Sequence, residues 1–280
     1  MSDVLDLDAY LRRIGHDDAV APDAATLARL VARHREAIAF ENIDGLCGRV
    51  PRLELAALQA KLVGGRRGGH CFEHNGLLRA ALRQIGFVVE TLEGRVRTGP
   101  TLATERTHSA LRVTLDGAQW LADVGFGALS PAVPLRLDAR DAVAREGESW
   151  CLADAEADVD GRVDGWILRS ISDRHWHDLY RLHAAPIGPV DEEMANWFVS
   201  TSPQATLQRN LIVSRPLASG ARLALLNDRL TTRRTGAKTE RRRLANRAEF
   251  VDVLADGFGL DVPDADLDAA LAVVERAVQA

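Results

Sequence analysis

Arg67-Gly68-Gly69-His70-Cys71-Phe72-Glu73-His74-Asn75-Gly76 places a cysteine where a glycine-rich loop meets an amphipathic helix. Downstream, Leu77, Leu78, Ala81, Leu82 and Ile85 fall at i, i+1, i+4, i+5 and i+8, one apolar stripe of a helix that Gly86 closes as its C-cap. The unpaired N–H groups and the dipole of a first helical turn favour an anion, so this position stabilises the thiolate of Cys71. The thiolate, not the thiol, is the attacking form of sulfur. A free cysteine is more often a small buried hydrophobe, and position alone leaves both readings open. A partner base would decide between them.

Working outward, the chain before this block reads as helical. Leu27, Leu30, Val31 and the run His34 to Ile38 recur at helical spacing behind a start signal at Pro22-Asp23, and Leu53 to Leu62 repeats the pattern. The glycines of Gly64 to Gly69 lack the Lys-Ser/Thr of a phosphate-binding loop and are expected to let the backbone approach a cleft. From Phe87 the period changes. Phe87 to Leu92 is rich in β-formers, and further strands are expected at Trp150 to Leu152, Trp166 to Leu168 and Trp176 to Leu182. A short helix over Asp191 to Phe198 ends at Ser200-Thr201-Ser202-Pro203. Strands at Leu211 to Val213 and Arg222 to Leu226, and a terminal helix from Asp264, complete the chain.

The hairpin supplies the base. Ser109 to Leu115, Asp116-Gly117 and Ala118 to Val124 read as two strands joined by a two-residue turn, since Asp-Gly tolerates positive φ. Partners across that turn have residue numbers summing to 233, so His108 faces Gly125 and Ala110 faces Asp123. His108 and Asp123 then share one face as diagonal neighbours, roughly 7 Å apart at their α-carbons. A carboxylate in that position fixes the imidazole tautomer and stabilises the imidazolium. With Cys71 the pair makes a candidate Cys-His-Asp triad; by itself it could equally be a satisfied polar contact on a sheet.

Composition narrows the class. The 280 residues are 46% apolar and 27% charged with net charge −5, which argues for a folded chain of two or three packed units and against a nucleic-acid or anionic-membrane binder. No apolar run reaches the roughly 18 residues of a spanning helix, and the acidic start Met1 to Asp6 lacks the basic region of a secretory signal. Three cysteines, Cys47, Cys71 and Cys151, are too few for a disulfide scaffold. A cytoplasmic protein is expected, with Cys47 and Cys151 structural.

These residues resemble the arylamine N-acetyltransferase family. The resemblance rests on Ile38-Ala39-Phe40-Glu41-Asn42-Ile43-Asp44, the Arg67 to Gly76 block, Thr107-His108, Leu121-Ala122-Asp123-Val124-Gly125-Phe126-Gly127 and Ser200-Thr201-Ser202-Pro203, and spans nearly the whole chain. It implies an α+β fold related to the papain-like cysteine proteases: an N-terminal helical bundle (1–86) carrying the cysteine, a central β-barrel (87–190) carrying the histidine and aspartate, and a C-terminal α/β lid (191–280). Cys71 looks like the nucleophile, His108 the base and Asp123 the orienting acid of a ping-pong acetyl transfer. Acetyl-CoA would be a co-substrate, with no permanently bound cofactor and no metal. A small aromatic amine, hydrazine or hydroxylamine would be the acceptor. The resemblance also places Phe40, Val96 and Phe126 at an apolar acceptor pocket and Thr201 and Ser202 at the CoA side. A biosynthetic amide synthase using a carrier-bound acyl chain, or a cysteine hydrolase, would share the triad.

The chain departs from the family pattern at Ala39, where proline is usual, and at His70, where an aromatic is usual. The first is expected to alter packing before Phe40. His70 sets a second imidazole beside the sulfur and is read as a surface or supporting residue, and His74 as packed and hydrogen-bonded. Although His70, Cys71 and His74 are metal-ligand types, no second cluster has zinc-like spacing. Arg233, Arg234, Lys238, Arg241, Arg242, Arg243 and Arg247 cluster in an otherwise acidic chain, as a solvated hairpin or a contact for CoA phosphates.

Overall fold

The computed structural model describes residues 4–98, 105–145, 147–157, 161–172 and 175–279. Its first part is helical where the apolar spacing requires it. α1 (Leu7–Arg13) and α2 (Ala24–Ala37) both begin at an aspartate: Asp6 accepts the Ala9 N–H at 2.9 Å and Asp23 the Thr26 N–H at 2.7 Å, caps that each contribute about 1 kcal/mol. β1 (Phe40–Glu41) and the one-turn α3 (Ile43–Leu46) follow. The stretch expected as one helix over Leu53 to Leu62 is α4 (Leu55–Leu58) running into a wider π turn, Gln59–Gly64. α5 (Cys71–Ile85) starts on the cysteine itself and ends at Gly86 in the left-handed region, φ +112°.

The middle of the chain is an antiparallel sheet of β2 (Val88–Val96), β3 (His108–Leu115), β4 (Ala118–Ala122), β5 (Leu135–Arg136), β6 (Val143–Arg145), β7 (Glu148–Asp154), β8 (Trp166–Ser172) and β9 (His175–Ile187). The strand order is β5-β4-β3-β2-β9-β8-β7-β6, and the sheet curls into a nearly closed barrel. The β3–β4 ladder runs from Leu111↔Ala122 to Leu115↔Ala118, every pair on the expected register. Asp116 and Gly117 both have positive φ, 49° and 74°, the signature of a two-residue turn matched to strand twist.

The last part contains α6 (Pro189–Thr201), α7 (Thr206–Arg209), β10 (Ile212–Pro216), β11 (Arg222–Leu226), β12 (Arg229–Arg233), β13 (Glu240–Arg243), α8 (Arg247–Asp252) and α9 (Asp264–Gln279). Its sheet has the order β1-β10-β11-β12-β13, so a strand from the helical part forms one edge of it. Spacing did not predict this strand: two residues are too short to show a period, and β1 pairs with Ser214 and Val213 far along the chain.

Packing ties the three parts together. One core joins α1, α2 and α5 to β2, β3 and β4 through Leu30, Leu78, Leu82, Val89, Leu111 and Val113. A second fills the barrel around Trp150, Leu168 and Tyr180. A third sets Ala39 and Ile43 against Val213, Leu225, Phe250 and Phe258. Each such side chain contributes roughly 1.5–3 kcal/mol on burial. Among the described residues, no helix is long and apolar enough to cross a membrane.

Candidate active site

Three elements meet at the sulfur: the first turn of α5, the start of β3, and the residues after β4. They can approach closely because residue 125 is glycine. A β-carbon there would lie 2.6 Å from the Cys71 Cα and 2.6 Å from Asn75 Nδ2. The barrel is thus pressed onto the helix at Cys71.

His108 Nε2 donates to Asp123 Oδ2 at 2.9 Å, and both side chains are essentially without solvent exposure. That bond assigns the tautomer and leaves Nδ1 for exchange with Cys71. The carboxylate is saturated. Oδ2 also accepts the Tyr180 hydroxyl at 2.7 Å, while Oδ1 accepts the Gly125 N–H at 2.8 Å and Asn75 Nδ2 at 3.0 Å. Burial raises the Asp123 carboxyl's proton affinity, but His108 and these donors outweigh it and hold the group below the usual carboxylate range. Burial likewise works against the His108 cation, yet the charge and hydrogen bond of Asp123, then Cys71, raise it to about 10. At Cys71, burial pushes the thiol up, and the imidazoles of His108 first and His70 second overcome this to bring it down to about 6. The Cys71 Sγ lies 3.6 Å from the Thr107 carbonyl oxygen. The arrangement favours the thiolate, the attacking form of sulfur, beside an imidazole whose orientation Asp123 fixes.

Two residues of this site escaped the sequence reading. Asn75 donates to Ser109 O at 2.8 Å and accepts the Val124 N–H at 3.2 Å, stitching α5 to the strand that carries His108 and to the residues after β4 that carry Asp123. Its position four residues after Cys71, one turn along the same face, was the available signal. Tyr180 lies on β9, and only the folded barrel brings it to Asp123.

The residues expected at the acceptor pocket converge. The Phe126 ring packs edge-on to His108 at 4.9 Å and to Tyr180 at 5.0 Å. Val96 pairs across the ladder with Tyr180 and so shares its face. Phe40 borders Gly127, next to Phe126: a β-carbon at Gly127 would lie 3.5 Å from the Phe40 Cβ. Thr201 and Ser202 stand at the C-terminal end of α6, where Thr201 Oγ1 donates to Trp197 O at 2.7 Å and Ser202 Oγ accepts the Gln204 N–H at 3.3 Å. Of the basic cluster, Arg234 pairs with Glu240, Arg242 with Glu249, Arg243 with Asp228 and Arg247 with Asp264 and Asp268. Much of it is therefore a solvated, ion-paired surface.

Beneath the loop that precedes Cys71 lies a charged network. Lys61 Nζ is 2.7 Å from both Glu73 Oε1 and Asp44 Oδ2, and Arg67 donates to Glu41 at 2.8 Å and to Asp266 at 3.3 Å. Glu73 accepts the His70 N–H at 3.0 Å, one half of a capping box. His74 is packed and bonded as expected. It donates from Nε2 to Ala39 O at 3.1 Å and accepts at Nδ1 from His34 Nε2 at 3.0 Å, and His34 Nδ1 accepts the Tyr10 hydroxyl at 2.9 Å. Burial keeps both rings neutral, with His74 lowered to about 4. Ala39 is fully buried. His70 is not a surface residue, being 2% exposed. Cys47 and Cys151 are unpaired, and burial raises both thiols.

The N-acetyltransferase family model matches residues 23–267. The arylamine N-acetyltransferase of Mycolicibacterium smegmatis is 38% identical over 267 residues, covering 93% of this chain and 94% of that one. The chain belongs to the arylamine N-acetyltransferase family. A member from Escherichia coli is 36% identical over 92% of this chain and 90% of its own. Among solved structures, the Mycobacterium marinum arylamine N-acetyltransferase in complex with CoA superposes with a TM-score of 0.86 at 37% identity, covering 97% of this chain and 99% of that one. The α+β fold expected from the resemblance is thereby the fold of this family.

Proposed function

We propose that this member of the family transfers acetyl from acetyl-CoA to arylamines, arylhydrazines or N-hydroxyarylamines through an acetyl-cysteine at Cys71. The carrying observation is the Cys71 thiolate held beside the buried His108–Asp123 pair. The thiolate attacks the thioester carbonyl; the tetrahedral adduct collapses, the carbon–sulfur bond to CoA breaks, and the CoA thiolate takes the proton of the His108 imidazolium. The amine nitrogen then attacks the acetyl-cysteine, neutral His108 accepts the nitrogen's proton, and the Cys71 thiolate leaves. Asp123 keeps the ring oriented in both halves. The Cys71 N–H, which as the first of its helix has no intrahelical partner, is the natural donor to the oxyanion.

Phe40, Val96 and Phe126 are proposed to take the aromatic acceptor, supported by their convergence on His108 and Tyr180. For CoA the support is a continuous sheet face. Cross-strand partners share a face, which aligns Ser214, Ala224 and Thr231 with Pro216, Arg222 and Arg233. Ser214 Oγ accepts the Ala128 N–H at 3.1 Å, beside Phe126. The face leads to a cleft of about 420 Å³ lined by Arg222, Arg233, Arg234, Thr235 and Thr239. Phosphates there would compete with Glu148 for Arg222 and with Glu240 for Arg234. Thr201 and Ser202 are proposed to border the pantetheine side, on a helix whose Val199 packs on Cys71 and Phe72. We further propose three units at 1–86, 87–190 and 191–280, with β1 lent from the first to the third, and a cytoplasmic location, which fits three unpaired cysteines.

Intact mass tests the intermediate. Acetyl-CoA should add one acetyl group to the wild type and none to Cys71→Ala, and an arylamine should discharge it as acetylated product. Labelling of Cys71→Ala would overturn the nucleophile. Labelling by a long acyl thioester but not by acetyl-CoA would favour the amide synthase.

A further inference from the structure

His70 is the N-cap of α5, immediately before the nucleophile. Its side chain is 3% exposed. Among the described residues, neither ring nitrogen has a partner in full hydrogen-bond geometry. An imidazole so far from solvent with nothing to bond is costly and asks for an explanation. Packing accounts only for the ring, which lies edge-on to Phe72 at 5.7 Å. The nitrogens have two electron-rich neighbours. Glu73 Oε2 is 3.9 Å from Nε2, and the same oxygen accepts the backbone N–H of His70. The other is the sulfur of Cys71, the adjacent residue, which lies within side-chain hydrogen-bonding reach of the ring.

We propose that His70 is a second imidazole partner of the Cys71 thiolate: a positioning residue that, balanced by Glu73, shares the sulfur's negative charge with His108. The arrangement repeats the His108–Asp123 motif with different spacing, an imidazole between a carboxylate and the same sulfur. It also accounts for the unbonded nitrogens, since the acceptor they serve is a sulfur that carries charge in only part of the catalytic cycle. The groups around the ring support a charged state that depends on the sulfur. Burial opposes the cation; Cys71 and Glu73 favour it; Lys61, from the π turn after α4, opposes it; and the balance lies above the ordinary imidazole value. Lys61 is itself held by Glu73, Asp44 and Glu41. His74, one turn along α5, stays neutral, while His108 and Asp123 face the sulfur from the barrel.

The cycle then has a second charge step. Acetylation removes the negative charge from sulfur, so His70 loses one of the two neighbours that favour its proton and gives that proton up to solvent. When the thiolate returns with product, His70 recovers a proton. Removing His108 alone should therefore leave Cys71 partly poised.

The proposal rests on Cys71 being the nucleophile, which acetyl labelling tests separately; the following measurements need no turnover. Alkylation of Cys71 by iodoacetamide is followed against pH in wild type, His70→Phe, His108→Gln and the double variant. Phe keeps the ring packing and removes the charge. His70→Phe should move the midpoint up by about one pH unit, a roughly tenfold loss of thiolate below it, and should slow His108→Gln further. An unchanged midpoint in folded His70→Phe overturns the proposal. The wild type gives an independent reading by titrating the His70 ring protons in magnetic resonance before and after blocking Cys71 with iodoacetamide. The midpoint should fall by about one unit or more. A His70 midpoint indifferent to the block also overturns it.

Discussion

Substituting Tyr180→Phe removes one oxygen and nothing else. The phenyl ring keeps its contacts with His108 at 4.4 Å and Phe126 at 5.0 Å, so no cavity opens. What disappears is the 2.7 Å donor to Asp123 Oδ2, one of four donors on a carboxylate that is 1% exposed and beyond the reach of water. A hydrogen bond to a charged group contributes about 1.5–3 kcal/mol, so the folded-state carboxyl should rise by about 1–2 pH units. The sign is fixed by the direction of the shift. Asp123 is held below its unfolded value, so its contribution is present above the unfolded pKa and is lost as pH falls through the folded one. Raising the folded value shrinks that contribution at neutral pH by about 1.5–3 kcal/mol and starts acid unfolding at higher pH. Denaturant titrations of both proteins at neutral and acidic pH read the difference. Kinetics should move in parallel. With one donor fewer, Asp123 binds the His108 cation more tightly, and the limb of the acetyl-to-amine step that requires neutral His108 should shift upward by about half to one pH unit. A stability change below about 0.5 kcal/mol together with an unshifted limb would show that the hydroxyl does not act on the pair.

Gly125→Ala should fold but lose about 100-fold in acetyl transfer, because a β-carbon 2.6 Å from the Cys71 Cα forces helix and barrel apart by about 1 Å; turnover within threefold of wild type, with an unaltered melting curve, would contradict the close approach. His34→Leu leaves the buried Tyr10 hydroxyl and His74 Nδ1 without partners and should cost about 2–4 kcal/mol by urea titration. Adding Tyr10→Phe should return part of that loss, and strictly additive losses would refute the chain of bonds.

What could be read from sequence follows the range of the forces involved. The β3–β4 register was legible because Asp116-Gly117 is a local turn and arithmetic carries its geometry outward, eight residues back to His108 and six on to Asp123. Helix starts at Asp23 and Cys71 were legible for the same reason: a cap acts within one turn. Tyr180 was not, because it reaches Asp123 only through the β2–β9 and β2–β3 pairings, and nothing in its own segment encodes them. β1 lay beyond a periodicity argument, as did the ion pairs from Arg67 to Glu41 and to Asp266, the latter 199 positions away. His70 was legible in type but not in burial: a histidine before a helix reads as exposed until a lid of other residues covers it.

Residues 40 and 41 also govern how the molecule can move. The Glu41 N–H donates to Gly69 O at 2.9 Å, while on its other side β1 pairs with Ser214 and Val213 of β10. The loop that delivers Cys71 and the sheet of the last third are therefore joined through the backbone of β1. Hinge closure needs a joint that turns without tearing bonds on either side. Swinging this sheet outward would pull on a residue two positions before Cys71 and displace the sulfur from His108. Ligand traffic must then be carried by side chains and by loops at the cleft mouth, while the sheet itself behaves as a fixed wall.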